Sequence, residues 1–275
     1  MAEHQEQQSR PVAIVTGASG GIGEATARAL LASGFRVFGT SRRPPATSWS
    51  GIEYLVCDVT SDDSVHSAVG QVLERAGRID LLVNNAGVGL VAGAEESSLE
   101  QAKSLFDVNL FGVFRMTKAV LPTMRRQGAG RIVNISSVLG LIPAPFMALY
   151  AASKHALEGY SESMDHEIRS SGVRVVLVEP YYTRTSFDGN VYQADQRLDV
   201  YQSARTNAEG VVRDEMKAAD TPELVASAVV KAATDTNPQQ RYAAGRRARQ
   251  VSLLRRFVPR SAFDKSLRKQ MRLPA

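Results

Sequence analysis

Residues 12–23 read Val12-Ala13-Ile14-Val15-Thr16-Gly17-Ala18-Ser19-Gly20-Gly21-Ile22-Gly23. An uncharged run of apolar and β-branched residues enters a cluster of glycines, and helix-forming residues follow. The first part has the pattern of a parallel strand buried on both faces. In the second part, Gly17 permits a tight turn, Gly21 lets backbone approach a pyrophosphate, and Gly23 allows close packing of helix on strand. The helix that follows presents free N–H groups and a partial positive charge to phosphate, and Ser19 and Ile22 belong to the same loop. A glycine cluster alone also fits a tight turn without a ligand. The strand before it and the helix after it are the context a dinucleotide site requires.

The same alternation continues outward. The runs at 35–40 (FRVFGT), 53–57 (EYLVC), 79–85 (IDLLVNN), 131–136 (RIVNIS) and 173–179 (VRVVLVE) read as further strands. Helical stretches lie near 22–33, 61–76, 98–127 and 150–171, with Gly34, Gly77 and Gly172 placed as helix stops. Repeated β-α alternation predicts an α/β fold, a Rossmann-type doubly wound parallel sheet in a single domain with a C-terminal helical extension. The expected layout is a disordered tail over 1–10, the Rossmann domain over 11–237 and a basic extension over 238–275. Residues 183–220 break the rhythm just after a strand, where ligands sit in such folds, and read as a substrate lid or as a plain surface excursion.

The end of the second strand bears on the cofactor. Dinucleotide folds that take NAD place an acid about 20 residues past the glycines, where it binds the ribose 2′-OH and repels a 2′-phosphate. Here that position holds Ser41, and Arg42 follows with a guanidinium suited to phosphate. The expectation is NADP(H); the alternative is two solvated arginines before a Pro-Pro turn.

The GxxxGxG spacing behind Thr16 resembles that of the short-chain dehydrogenase/reductase family, and further motifs follow in the family's order. Asp58 follows the third strand, Asn84-Asn85-Ala86-Gly87 ends the fourth, Asn109 lies in DVNLFG, Ser137 in NISSVLG, and Tyr150-Ala151-Ala152-Ser153-Lys154 gives YxxxK. The likeness covers about residues 11–185 and is nearest in look to the steroid- and retinoid-converting branch. It implies a catalytic set of Asn109, Ser137, Tyr150 and Lys154. Tyr150 would move a proton to or from the substrate oxygen, which Ser137 would hold. Lys154, on the same helix face one turn on, would stabilise phenolate and hold the nicotinamide ribose. Asn109 would organise a helix kink and a water that relays protons to Lys154. The cofactor contacts implied are Asp58 at the adenine, the Asn85-Ala86-Gly87 segment, Pro180, and Thr185 at the carboxamide, besides the glycine loop, Ser41 and Arg42. The reaction implied is hydride transfer between nicotinamide and a carbinol or carbonyl carbon. Where the family commonly has Pro-Gly, this sequence has Pro180-Tyr181. A ring there is expected to reshape the pocket or strain the backbone.

The apolar stretch from Leu139 to Met147 joins Ser137 to Tyr150. With Leu139 and Phe146 it is expected to wall the substrate pocket, opposite Tyr181, Tyr182, Phe187 and Tyr192. A small hydrophobic ketone, aldehyde or alcohol suits such walls. The alternatives are a ketoacyl-thioester reductase and a non-catalytic NADP(H)-binding regulator; the latter could dispense with Ser137, Tyr150 or Lys154, and all three are present.

Composition excludes other classes. The single Cys57 rules out an intrachain disulfide framework, and His4, His66, His155 and His166 lack HxxxH or HExxH spacing, so no metal is expected. No run of about 18 apolar residues and no secretory leader is evident, so a cytoplasmic setting is expected. The net charge is +5. Residues 238–275 carry eleven Lys or Arg against Asp264, so the basic character belongs to the tail. No nucleic-acid motif accompanies it. Its segment 250–258 suits a helix with one apolar stripe, expected to pack on protein, over the substrate entrance or a second subunit, rather than on a membrane. A homo-oligomer is expected.

Overall fold

The structure is a computed structural model that describes residues 10–43, 49–185 and 191–273. The first strand, β1 (Val12–Thr16), is buried along its whole length. Its side chains alternate between two cores: Val12 and Ile14 face one, Ala13 and Val15 the other. That two-sided burial explains the unbroken apolar run. The glycine loop leads into α1 (Gly21–Ala32), and β2 (Arg36–Ser41), β3 (Ile52–Val56), α2 (Asp62–Ala76) and β4 (Leu81–Asn84) follow. After a short β5 (Gly89–Val91) come α3 (Leu99–Phe106), α4 (Gly112–Gln127) and β6 (Gly130–Ile135). The second half holds α5 (Ala148–Ile168), β7 (Val173–Pro180), β8 (Val191–Gln193), α6 (Gln202–Lys217), α7 (Pro222–Thr234), β9 (Arg241–Ala244), α8 (Arg246–Phe257) and α9 (Arg260–Gln270).

Seven strands form one sheet in the order β3-β2-β1-β4-β6-β7-β9. Every pairing in it is parallel. This is the Rossmann-type doubly wound architecture. Strand order reverses between β1 and β4, and the carboxyl ends there are where a ligand site forms.

Four features depart from the sequence reading. The stretch 98–127 is not one helix: a π-helical segment, Asp107–Phe111, separates α3 from α4. The lid region holds regular elements, with β8 paired to β5 in a second small parallel sheet and α6 following it; residues 186–190, and with them Phe187, lie outside the described residues. α7, unforeseen, starts with Pro222 in its first turn and packs on α1. Finally, β9 pairs with β7 from Leu177↔Arg241 to Pro180↔Ala244. A boundary at 238 therefore cuts the sheet, and only the chain from Arg246 onward is an extension beyond it. Of the expected N-terminal tail, residues 1–9 lie outside the described residues.

Candidate active site

The glycine loop is held by the end of β4. The Thr16 hydroxyl accepts from the backbone N–H groups of Asn85 (2.9 Å) and Ala86 (3.0 Å). The Asn85 amide donates back to the carbonyls of Thr16 (2.9 Å) and Gly17 (3.2 Å). Gly17 turns with a φ of +66°, in the left-handed region that favours glycine. A Cβ on Gly23 would stand 2.2 Å from the Gly17 carbonyl oxygen, so only glycine lets α1 approach the loop. No side chain caps the N-terminus of α1, which follows Gly20. The loop thus offers a cradle and a positive helix end, and both fit a pyrophosphate.

The adenosine end lies beyond β2. Ser41 is buried and its hydroxyl donates to the Arg43 carbonyl. Arg42 is exposed and lines the same cavity as Asp58. The Asp58 carboxylate accepts from the backbone N–H (2.9 Å) and hydroxyl (2.7 Å) of Thr60. Those bonds hold its pKa below the usual range, with Arg42 and Arg115 helping.

The chemical end forms where β6 runs into α5. Ser137 follows β6 and accepts from the Leu139 N–H (3.1 Å). Tyr150 sits in the first turn of α5 and Lys154 one turn later, its ammonium 5.8 Å from the Tyr150 ring centre. Burial pushes the Tyr150 phenol up to about 12, and a hydrogen bond with Ser137 opposes this. Burial pulls Lys154 down to about 8, with Glu158 opposing. The Lys154 ammonium donates to the Ile135 carbonyl (2.9 Å). Asn109 lies in the π-helical segment, 1% exposed. Its amide donates to Val88 O (2.9 Å) and the Ser153 hydroxyl (3.2 Å), and its oxygen accepts from Val88 N (2.9 Å). It ties the π-helical segment to Val88, just before β5, and to α5.

One cavity of about 650 Å³ joins these ends. It is lined by Gly17, Ser19, Gly21 and Ile22 of the loop, by Asn85, Ala86 and Gly87, and by Ser137, Tyr150 and Lys154. Leu139, Pro180, Tyr181, Tyr182, Tyr192 and Thr185 line it too. Gly23 and Asn109 support it from behind. Phe146, expected in the wall, is not among the lining residues. It adopts a φ of +61° and packs against Tyr201, at 6.2 Å between ring centres, and against the cluster of Ala208, Val211 and Met271. The far wall comes from Val251 of α8, within the segment expected near the substrate entrance, and from residues the sequence reading did not name: Val211 and Met216 of α6, Leu267 of α9, and Met271. The Val211-Val212 pair inside a polar helix was the available signal.

The family model for short chain dehydrogenases matches residues 11–196. The chain is a short-chain dehydrogenase/reductase. It is similar to a 3-ketodihydrosphingosine reductase of Bacteroides thetaiotaomicron, 36% identical over 85% of this chain and 87% of the relative. It is also 33% identical to an uncharacterized oxidoreductase, YusZ, of Bacillus subtilis, over 96% of this chain and 99% of that one. Among solved structures it resembles a short-chain dehydrogenase from Streptomyces avermitilis, with a TM-score of 0.80, 33% identity, and coverage of 96% of this chain and 95% of that one. A short chain dehydrogenase from Burkholderia cenocepacia in complex with NADP gives a TM-score of 0.76 at 25% identity, covering 95% and 98%. This dehydrogenase/reductase is therefore a nicotinamide-dependent oxidoreductase.

Two details set this dehydrogenase/reductase apart from the sequence expectations. Tyr181 causes no left-handed backbone: among described non-glycine residues only Phe146 and Arg272 have positive φ. Instead its ring stacks edge-on against Tyr182 at 5.0 Å, and burial pushes the Tyr182 phenol up to about 12. The tail helices also behave unexpectedly. Ala248 and Met271 are buried against the body, but Leu253, Leu254 and Phe257 of the apolar stripe are exposed. Burial of that stripe on the chain's own body thus holds for Val251, which lines the cavity, and not for Leu253, Leu254 and Phe257, because the face of α8 that meets the body carries Ala248 and Val251.

A buried acid lies beyond Lys154, outside the cavity lining. Glu158 lies one turn beyond Lys154 on α5, and Arg241 of β9 reaches Glu158 (2.8 Å), Glu162 (2.8 Å) and Glu179 (2.9 Å). Burial, its largest cause, pushes the Glu158 carboxyl up from 4.5 to about 7. The folded state then binds this proton more tightly than the unfolded chain, so ionisation of Glu158 removes stability as pH rises from about 4.5 to about 7. Glu158→Gln should erase that decline. Its stability relative to the unaltered protein should rise by about 2 kcal/mol between the two ends of the window, read by denaturant unfolding at each pH. A stability difference independent of pH would refute it.

Proposed function

We propose that this enzyme uses NADP(H) to interconvert a hydrophobic ketone and its secondary alcohol, working mainly as a reductase. The observation that carries this reading is the shape of the cavity. Ser137, Tyr150 and Lys154 line one part of it, and Val211 and Met216 of α6 with Leu267 and Met271 line another, where Glu215 and Gln270 add polar groups at the wall. The glycine loop and the N-terminus of α1 would hold the pyrophosphate, Arg42 the 2′-phosphate, Asp58 the adenine side, and Lys154, Pro180 and Thr185 the nicotinamide end. When bound, NADP(H) supplies or accepts the hydride.

The chain's own residues handle the proton and the oxygen. With its phenol pushed up to about 12, Tyr150 carries its proton at neutral pH, the state needed to protonate a carbonyl oxygen. Ser137 donates a second hydrogen bond to that oxygen and fixes its position. Lys154, anchored on Ile135 O, sets the positive potential that lets Tyr150 give up the proton. Asn109 keeps the helix irregularity in place beside Ser153. The similar protein named a 3-ketodihydrosphingosine reductase agrees with a ketone as substrate.

A series of straight-chain methyl ketones tests the reading, with NADPH consumption followed by absorbance. The efficiency kcat/KM should rise by about three- to fourfold per added methylene until the apolar end is filled, following the transfer free energy of each group. A flat or falling series, or no ketone turned over, would defeat it.

A further inference from the structure

α8 and α9 carry a feature that the reaction does not use. Leu253, Leu254 and Phe257 are 49%, 52% and 72% exposed. Their spacing of one and four residues puts them on one side of α8, opposite the buried Ala248. The charge around them is mainly positive: residues 246–263 hold six arginines and no acid, and α9 adds three more cations after Arg260 against Asp264. Two of these arginines are engaged by the body, Arg247 with Glu215 (2.8 Å) and Arg255 with the Leu141 carbonyl (3.1 Å). Arg246, Arg249, Arg256 and Arg260 are exposed, and among the described residues none of them pairs with an acid.

We propose that this face of α8, continued by the basic α9, docks on an anionic lipid bilayer, with Leu253, Leu254 and Phe257 entering the headgroup boundary and the free arginines meeting lipid phosphates. Apolar side chains set among cations match an interface that offers both hydrocarbon and negative charge. Nucleic acid supplies the negative charge but no place for Leu253 or Phe257. A second copy of the same face would supply the apolar surface but oppose arginines with arginines, since a two-fold contact pairs a patch with itself. The same two helices line the apolar end of the cavity through Val251, Leu267 and Met271. Docking therefore sets that end at the lipid surface. The inference stands apart from the reaction, since it needs neither cofactor nor turnover.

The test is sedimentation of the full chain with vesicles of phosphatidylcholine alone or mixed with phosphatidylglycerol. The protein should pellet with the mixed vesicles at low salt and partition about tenfold less with neutral vesicles or at high salt. Leu253→Ser with Leu254→Ser and Phe257→Ser should reduce partition by about tenfold or more with an unchanged Tm, because the side chains removed are exposed. Arg246→Glu with Arg249→Glu and Arg256→Glu should abolish pelleting independently. Absence of pelleting with mixed vesicles at low salt overturns the proposal, as does pelleting that survives both variants. If the serine variant instead lowers the oligomer mass in sedimentation velocity, the face joins copies of this chain and the lipid assignment falls.

Discussion

Tyr150→Phe should lower turnover by about 10³-fold while leaving NADPH affinity within about twofold, the size expected when a positioned proton donor is lost. The substitution removes only the hydroxyl. The ring keeps its packing at the start of α5, and the Lys154 ammonium keeps its bond to the Ile135 carbonyl, so the neighbouring structure has no reason to move. Lys154→Ala should behave differently. It takes away a positive charge from beside the phenol and a group placed to hold the cofactor, so turnover and NADPH affinity should fall together. Stopped-flow or steady-state absorbance with the best ketone gives turnover, and quenching or enhancement of nicotinamide fluorescence gives affinity. Turnover by Tyr150→Phe within tenfold of the unaltered enzyme would remove Tyr150 as the proton donor.

Ser41→Asp combined with Arg42→Ala should shift the ratio of kcat/KM for NADPH over NADH by about 30-fold or more towards NADH, equivalent to about 2 kcal/mol. Two effects add. The phosphate would lose an exposed guanidinium that lines the cavity beside Asp58, and would gain a carboxylate at a buried position where charge repulsion is weakly screened. The carboxylate can also accept from a ribose hydroxyl, which favours NADH. The Ser41 hydroxyl now donates to the Arg43 carbonyl, so Ser41→Ala is the control for loss of that bond alone. Equal efficiency with both cofactors in the unaltered protein would already count against the NADP(H) reading.

The fold was legible where burial imposes a pattern. β1, β4, β6 and β7 are covered on both faces, so their sequences are apolar runs that only a parallel sheet requires. β9 escaped because Arg241-Tyr242-Ala243-Ala244 is an edge strand that begins with a charged residue, and its arginine is there for Glu158, Glu162 and Glu179 rather than for the sheet. The glycine loop and the Tyr150–Lys154 spacing are local, so they could be read directly. Glu158 could not, because nothing in a single helix says that the next acid along will be buried. Phe146 was placed in the pocket by its neighbours in sequence, but its left-handed backbone turns it towards α6 instead. The π-helical break at Asp107–Phe111 has no mark in periodicity; only the family resemblance of the segment around Asn109 pointed to a kink, and there Asn109 bonds to Val88, just before β5, and to Ser153 of α5.

The position of Arg241 has a consequence for biosynthesis. A ribosome delivers Glu158, Glu162 and Glu179 more than sixty residues before it delivers their shared counter-charge. Until then, closing α5 onto β7 would enclose carboxylates with no cation to meet them, which is costly unless they stay wet or protonated. The ion pairs between α5 and β9 are thus contacts of long sequence separation that form only after Arg241 has been made. Long-range contacts of this kind slow folding and lengthen the time that apolar strands stay open to other chains. The three carboxylates therefore gain their shared counter-charge only once β9 has joined the edge of the sheet.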